Sequence, residues 1–200
     1  MKKIIVATCN EDKMKEIRAI LAGDGIEYVS LNDENLSDIP ITEDGTTFEE
    51  NAVIKAKTIA EVTKSMVIAD DSGVEVDYMN KAPGIYSARF LGEDTSYTVK
   101  NNYIIDQLKD AKGSERSARF VCVMACVMPD GRIFTARGVV EGLIAYEEKG
   151  ENGFGYDPIF YLPEKRCTSA QLLPSEKNLI SHRGNALRLM HEKLRSENII

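Results

Sequence analysis

Long apolar runs are missing from this chain: none approaches the roughly 18 consecutive apolar residues that a membrane-spanning helix needs, so no such span is expected. The amino terminus, Met1-Lys2-Lys3-Ile4-Ile5-Val6, turns polar again at Thr8 and reads as a first strand, not a secretory leader. Basic residues are outnumbered, 25 against 32 acidic for a net charge of −7, which argues against sequence-independent binding to a nucleic-acid polymer. Any polyphosphate ligand must then be met by a local cluster of cations. Cysteine is sparse as well. Cys9, Cys122, Cys126 and Cys167 lack paired metal-ligand spacing, and Cys122 and Cys126 lie in an apolar strand pattern. The expectation is a reducing, cytoplasmic setting with thiols that pack as small hydrophobes. What remains is ordinary for a globular protein: 43% hydrophobic and 28% charged residues in 200, enough for one substantial domain or for two small lobes that share a core.

The stretch around which the rest is organised is Met66-Val67-Ile68-Ala69-Asp70-Asp71-Ser72-Gly73. Its apolar run predicts a strand buried on both faces that ends in two carboxylates and a glycine. In open α/β sheets ligands bind beyond the carboxyl ends of strands, so Asp70 and Asp71 are expected at the sheet's tip, placed for chemistry. Two acids with Ser72 suit a hard divalent cation such as Mg2+, which takes a few oxygen ligands and keeps waters for exchange with phosphate. The competing reading is a solvated turn, since Asp, Ser and Gly are all turn formers.

Residues 3–7 predict the first strand, and Thr8-Cys9-Asn10 the turn into a helix over 11–22. Asn10 caps that helix, Glu11 and Asp12 suit its positive end, Gly23 stops it, and Met14, Ile17 and Leu21 form its buried stripe. Lys13, one turn in, makes this helix start a phosphate cradle, although the spacing of a P-loop is absent. A short strand over 26–30 and an acidic loop over 32–45 follow. A second helix is expected from Thr46 or Thr47 to about Thr63, with Thr47 and Glu50 as a capping box. Asn51 and Lys55 flank its apolar face as a polar ridge, solvated unless a ligand sits opposite. Residues 81–90 read as a loop, 97–108 as a helix, and 118–128 with 132–141 as a hairpin, which makes the sheet mixed. Gly150 to Pro158 reads as a flexible glycine loop whose Phe154 and Tyr156 could stack on a flat base. A last strand over 159–162 and a closing helix over 185–194 complete the expectation. His182 and Arg183, at a helix start, can donate to an anion or to base oxygens.

Taken in order, Thr8-Cys9-Asn10-Glu11-Asp12-Lys13 with Glu16, Thr47-Phe48-Glu49-Glu50-Asn51-Ala52 with Lys55, Ala69-Asp70-Asp71-Ser72-Gly73, Ala82 to Arg89, Gly153-Phe154-Gly155-Tyr156-Asp157-Pro158 and Ser181-His182-Arg183-Gly184 resemble one family. It is the house-cleaning inosine/xanthosine triphosphate pyrophosphatases, or dITP/XTP diphosphatases, and the likeness spans essentially the whole chain. The resemblance implies a single α/β domain over residues 1–200, a long mixed β-sheet flanked by helices, with a nucleotide cleft between two lobes that are not independent domains, in a homodimer. It also implies Mg2+-dependent hydrolysis of a purine nucleoside triphosphate to the monophosphate and pyrophosphate. By the same likeness Thr8, Cys9, Asn10, Glu11, Asp12 and Lys13 hold phosphate, and Asp71 binds the metal and accepts a proton. Ser72, Phe154, Gly155, Tyr156, Asp157, Lys177, His182 and Arg183 contact the nucleotide. Relatives often carry Glu-Glu-Thr-Gly where this chain has Thr42-Glu43-Asp44-Gly45, which leaves Glu43 as a candidate second carboxylate for the metal.

The chemistry of the residues agrees with that expectation. Cations and a dication can neutralise a triphosphate in an acidic protein, and a 6-oxo purine offers an acceptor where adenine offers a donor. Two rivals make different predictions. An aspartyl phosphatase would release orthophosphate, but the chain lacks its Asp-x-Asp order, and a nucleotide sensor would bind without turnover.

Overall fold

The structure is a computed structural model that describes residues 2–23 and 25–200. Among them the elements run β1 (Lys2–Val6), α1 (Glu11–Ile20), β2 (Ile26–Val29), α2 (Phe48–Thr63), β3 (Val67–Val76), α3 (Tyr97–Gln107), β4 (Ser117–Val127), β5 (Ile133–Ile144), β6 (Phe160–Leu162), β7 (Cys167–Thr168), α4 (Pro174–Ile180) and α5 (His182–Ser196). The seven strands form one sheet in the order β2-β1-β3-β4-β5-β6-β7. β1 is parallel to β2 and to β3, whereas β6 is antiparallel to β5 and to β7, so the sheet is mixed. β7 and α4 are absent from the sequence expectation. Two residues carry too little periodicity to announce a strand, and Pro174 opens a helix of only seven residues.

The chain divides into two compact units. One comprises Met1–Asp71, Cys122–Gly138 and His182–Ile200, the other Ser72–Val121 and Val139–Ser181. In the first, Ile4 and Val6 of β1, Met14 and Ile17 of α1, Cys122 and Met124 of β4, and Leu187 and Met190 of α5 share a core. Burial pushes the Cys122 and Cys126 thiols up to about 12, so both behave as the small hydrophobes expected of them. In the second unit Val74, Val76, Ile104, Leu108, Phe120, Ile144 and Phe160 pack together.

The central strand departs from expectation. β3 does not stop at the carboxylates but continues to Val76, so Asp70 and Asp71 sit within a ten-residue strand rather than at its tip. The alternation Val74-Glu75-Val76, with both valines fully buried, outweighs the turn preference of Asp-Asp-Ser-Gly. Gly73 is required by a close approach. A Cβ there would collide with the Gly84 carbonyl oxygen and Ser87 Oγ, and the same Ser87 Oγ accepts from Val74 N at 3.0 Å. Gly73→Ala is therefore expected to cost about 1–3 kcal/mol by overpacking, read as a lower urea midpoint at unchanged slope.

Candidate active site

Three polar clusters emerge from these elements, two in the first unit and one in the second. The first begins at the turn before α1. Thr8 Oγ1 accepts from Asn10 N at 3.1 Å, and Asn10 Oδ1 accepts from Lys13 N at 2.9 Å, capping α1 as expected. The Cys9 carbonyl and Glu11 Oε1 both accept from Asn32 Nδ2, at 3.4 and 3.2 Å, and Cys9 is exposed. Asp12 is exposed and pairs with Lys15. Lys13 reaches inward, its Nζ 3.0 Å from Asp70 Oδ2.

Asp70 is 1% exposed and also faces the Arg183 guanidinium, whose Nη2 lies 3.3 Å from Oδ2. Burial would raise the Asp70 carboxyl, but Lys13 and Arg183 outweigh it and hold the group well below the usual carboxylate range. Arg183 Nη1 pairs with Glu16 of α1, so both terminal nitrogens of this buried arginine face acids. His182, which opens α5 beside it, is buried too.

The second cluster surrounds Asp71. Lys55 Nζ donates to Asp71 Oδ1 at 3.1 Å and to Glu43 Oε2 at 3.0 Å, so one ammonium bridges two carboxylates. Asn51 donates weakly to Asp71 Oδ2 at 3.4 Å, and its own Oδ1 accepts from Gly45 N at 2.9 Å, which ties the acidic loop to α2. Asn51 and Lys55 are thus buried and engaged by Asp71, Glu43 and Gly45, so of the two readings of this ridge the solvated edge does not hold. The correction follows from α2's register, since Ala52, Ala56, Ile59 and Ala60 also bury and carry both polar neighbours inward. The capping box is shifted as well. Thr47 Oγ1 accepts from Glu50 N, but the Glu50 carboxylate reaches Thr46 N and Oγ1 instead of Thr47 N.

Burial raises the Asp71 carboxyl above its ordinary value, and the Lys55 charge only partly offsets this. A raised pKa makes Asp71 a better proton acceptor than an ordinary aspartate. Among the described residues no group of three or more His, Cys, Asp or Glu side chains converges to hold a metal. Two carboxylates on one lysine nonetheless fit Mg2+, which is bound through one or two acids with waters and substrate phosphates completing its shell.

The third cluster lies in the turn 153–157. Asp157, 2% exposed, accepts from Phe154 N at 2.8 Å and from Lys177 Nζ at 2.5 Å. The Lys177 ammonium also sits 4.9 Å from the Phe154 ring centroid, a cation–π geometry. Gly153 has φ +74°, and a Cβ there would strike Asp157 Oδ2, so the turn needs glycine at this place. Gly155 has φ +68°. The loop is ordered by these contacts and does not behave as a free linker. Tyr156 is not an exposed stacking ring. It is buried edge-on against Tyr97, with ring centroids 5.3 Å apart, and its hydroxyl donates to Ser87 O at 2.7 Å. Ser72 is partly buried at the start of the second unit's share of β3.

The structure therefore gathers Lys13, Asp70, Arg183 and Glu16; Asp71, Lys55, Glu43 and Asn51; and Phe154, Asp157 and Lys177. Sequence reasoning assigned no site role to Asn51. Its signal was the spacing of four from Lys55 beside an apolar face.

Comparison with known proteins gives a consistent picture. The model of the Ham1 family matches residues 4–193. The dITP/XTP pyrophosphatase of Exiguobacterium sibiricum is 47% identical over 96% of each chain, and that of Vibrio cholerae 43% identical over 98% of each. Among solved structures, the HAM1 protein from Coxiella burnetii is similar with a TM-score of 0.87 at 39% identity, and the Staphylococcus aureus Ham1 protein with 0.87 at 40%. Each likeness covers 98% of this chain and all of the other.

Proposed function

Because the chain belongs to the Ham1 family, we propose that it hydrolyses non-standard purine nucleoside triphosphates, ITP, dITP and XTP, to the monophosphate and pyrophosphate. The observation that carries this reading is the near full-length likeness to proteins named for that activity. The proposal extends to Mg2+ as the cofactor, to a cytoplasmic homodimer, and to the residues that do the work. The dimer comes from the family resemblance and the compartment from the cysteine pattern, and no described helix is long and apolar enough to cross a membrane.

Thr8 to Lys13 present amides and an ammonium at the positive end of α1 to the triphosphate. Asp71 and Glu43 are the residues that would hold Mg2+, which when bound supplies Lewis-acid stabilisation of charge on the phosphoryl oxygens. Lys55, already between those acids, adds a fixed positive charge where the polyanion must be neutralised. Asp71 accepts a proton from the attacking water as the new oxygen–phosphorus bond forms at the α-phosphorus. The bond from that phosphorus to the bridging oxygen breaks, and pyrophosphate leaves with its electron pair. Phe154 offers its ring to the base. Lys177 and backbone amides of the 153–157 turn donate to a 6-oxo group, where adenine's amino group would leave them unpaired.

A nucleotide panel with Mg2+ tests this directly. ITP, dITP and XTP should exceed ATP and GTP by about a hundredfold in kcat/KM, with pyrophosphate and monophosphate formed in equal amounts. Equal rates across the panel would sink the base reading, and orthophosphate as the product would instead favour an aspartyl phosphatase.

A further inference from the structure

The second unit contains a hollow of about 470 Å3 whose lining shares no residue with the three clusters above. Its volume falls in the range of small-molecule sites, about 300–1,000 Å3. Arg116, Tyr146, Glu147, Lys149, Tyr161 and Arg166 are among the residues around it. Three are cations and one is an acid, in a protein of net charge −7. Glu147 is already paired with Lys149 at 2.9 Å, which leaves the two arginines.

Arg116 is 2% exposed, and no carboxylate among the described residues forms an ion pair with it. Its guanidinium donates to carbonyl oxygens alone: Ile144 at 2.7 Å, Leu108 at 2.5 Å and Ala145 at 2.8 Å, with a longer bond to Ala111. Burying a guanidinium without a counter-charge is costly, and burial pulls its pKa below the ordinary value. The Tyr146 ring lies over this guanidinium, 4.1 Å from its carbon, and yet Tyr146 is 63% exposed. A large aromatic ring is thus held in place by a buried cation on one face and left open to solvent. The cation below draws electron density from the ring, which favours stacking of an electron-rich heterocycle above it. Arg166, exposed and with no ion pair among the described residues, stands at the same hollow for an anionic group.

We infer that this hollow is a second ligand site for a purine nucleoside monophosphate, with the base stacked on Tyr146 and the phosphate drawn by Arg166 and the field of Arg116. One phosphate suits it better than three, since two unneutralised cations face it and the hollow offers no pair of acids for a dication. The inference rests on the proposed nucleotide chemistry, in which a monophosphate is the product and would report its own accumulation.

AMP is the discriminating probe, because the proposed base pocket disfavours adenine. Calorimetric titration of the full chain with AMP should show saturable binding. Tyr146→Ala and Arg166→Glu should each weaken it at least about tenfold, while Tyr146→Phe, which keeps the ring, retains it. Phe154→Ala should leave AMP binding unchanged, and dITP hydrolysis by the Tyr146 and Arg166 variants should stay at the wild-type rate. Absence of saturable binding through the millimolar range, equal binding by Tyr146→Ala and wild type, or loss of binding in Phe154→Ala would each overturn the inference. Continued dITP hydrolysis by the wild-type chain in any of those cases separates its failure from failure of the proposed function.

Discussion

Asp71→Asn is expected to lower the turnover of dITP by about a thousandfold, measured as pyrophosphate release at saturating substrate and Mg2+. The amide keeps the shape of the side chain and an acceptor for Lys55, but it can neither take a proton nor supply a full negative charge. Nucleotide binding should survive, because Lys13 and Lys55, the ammonium groups that meet the triphosphate, are untouched. Loss of fold can be separated from loss of chemistry by the sign of the Asp71 pKa shift. Burial raises the folded-state value above the unfolded one, so ionised Asp71 costs stability at neutral pH, and protonation as pH falls through the folded value relieves that cost. A neutral amide removes the same cost, and the variant should therefore be at least as stable as the parent in urea. Undiminished pyrophosphate release from Asp71→Asn would remove Asp71 from the role of base.

The parts of this arrangement that were legible in the sequence are those set by local rules. Asn10 caps α1 because its side chain can reach the Lys13 amide, and the apolar run before Asp70 is a buried strand because nothing in it can face water. The paired elements of the hairpin, β4 and β5, followed from alternation around Pro129-Asp130-Gly131. What was not legible depends on contacts far apart in the chain. The extension of β3 past Gly73 is stabilised by Ser87 Oγ and by the burial of Val74 and Val76, neither of which a window around Asp-Asp-Ser-Gly reports. Lys55 could be placed beside an apolar face but not between Glu43 and Asp71, since that depends on where a loop without periodicity comes to rest. Tyr156 was misread for a related reason. An aromatic in a glycine loop can stack on a ligand or fill a core, and only the position of Tyr97 and Ser87 decides which.

Arg183→Met should lower stability by about 3–5 kcal/mol, because it removes a guanidinium that pairs with two acids, Asp70 and Glu16, in a buried network. This sets two roles of Arg183 against each other. A residue that only touched the nucleotide would change KM and leave the urea midpoint in place, whereas one that neutralises Asp70 and Glu16 moves the midpoint whether or not substrate is present. The pH dependence supplies a second measurement. Asp70 has a folded-state pKa held below its unfolded value of about 3.8, so the stability it contributes is present above that pH and lost as pH falls toward the folded value. Without Arg183 the Asp70 value climbs back toward the ordinary range, and the acid-side loss of stability attributable to this carboxylate shrinks. Adding Asp70→Asn to Arg183→Met should then recover part of the lost stability, since the buried charge left behind is gone. An unchanged midpoint in Arg183→Met would mean that the two ion pairs contribute nothing net to the fold, and would return Arg183 to the substrate alone.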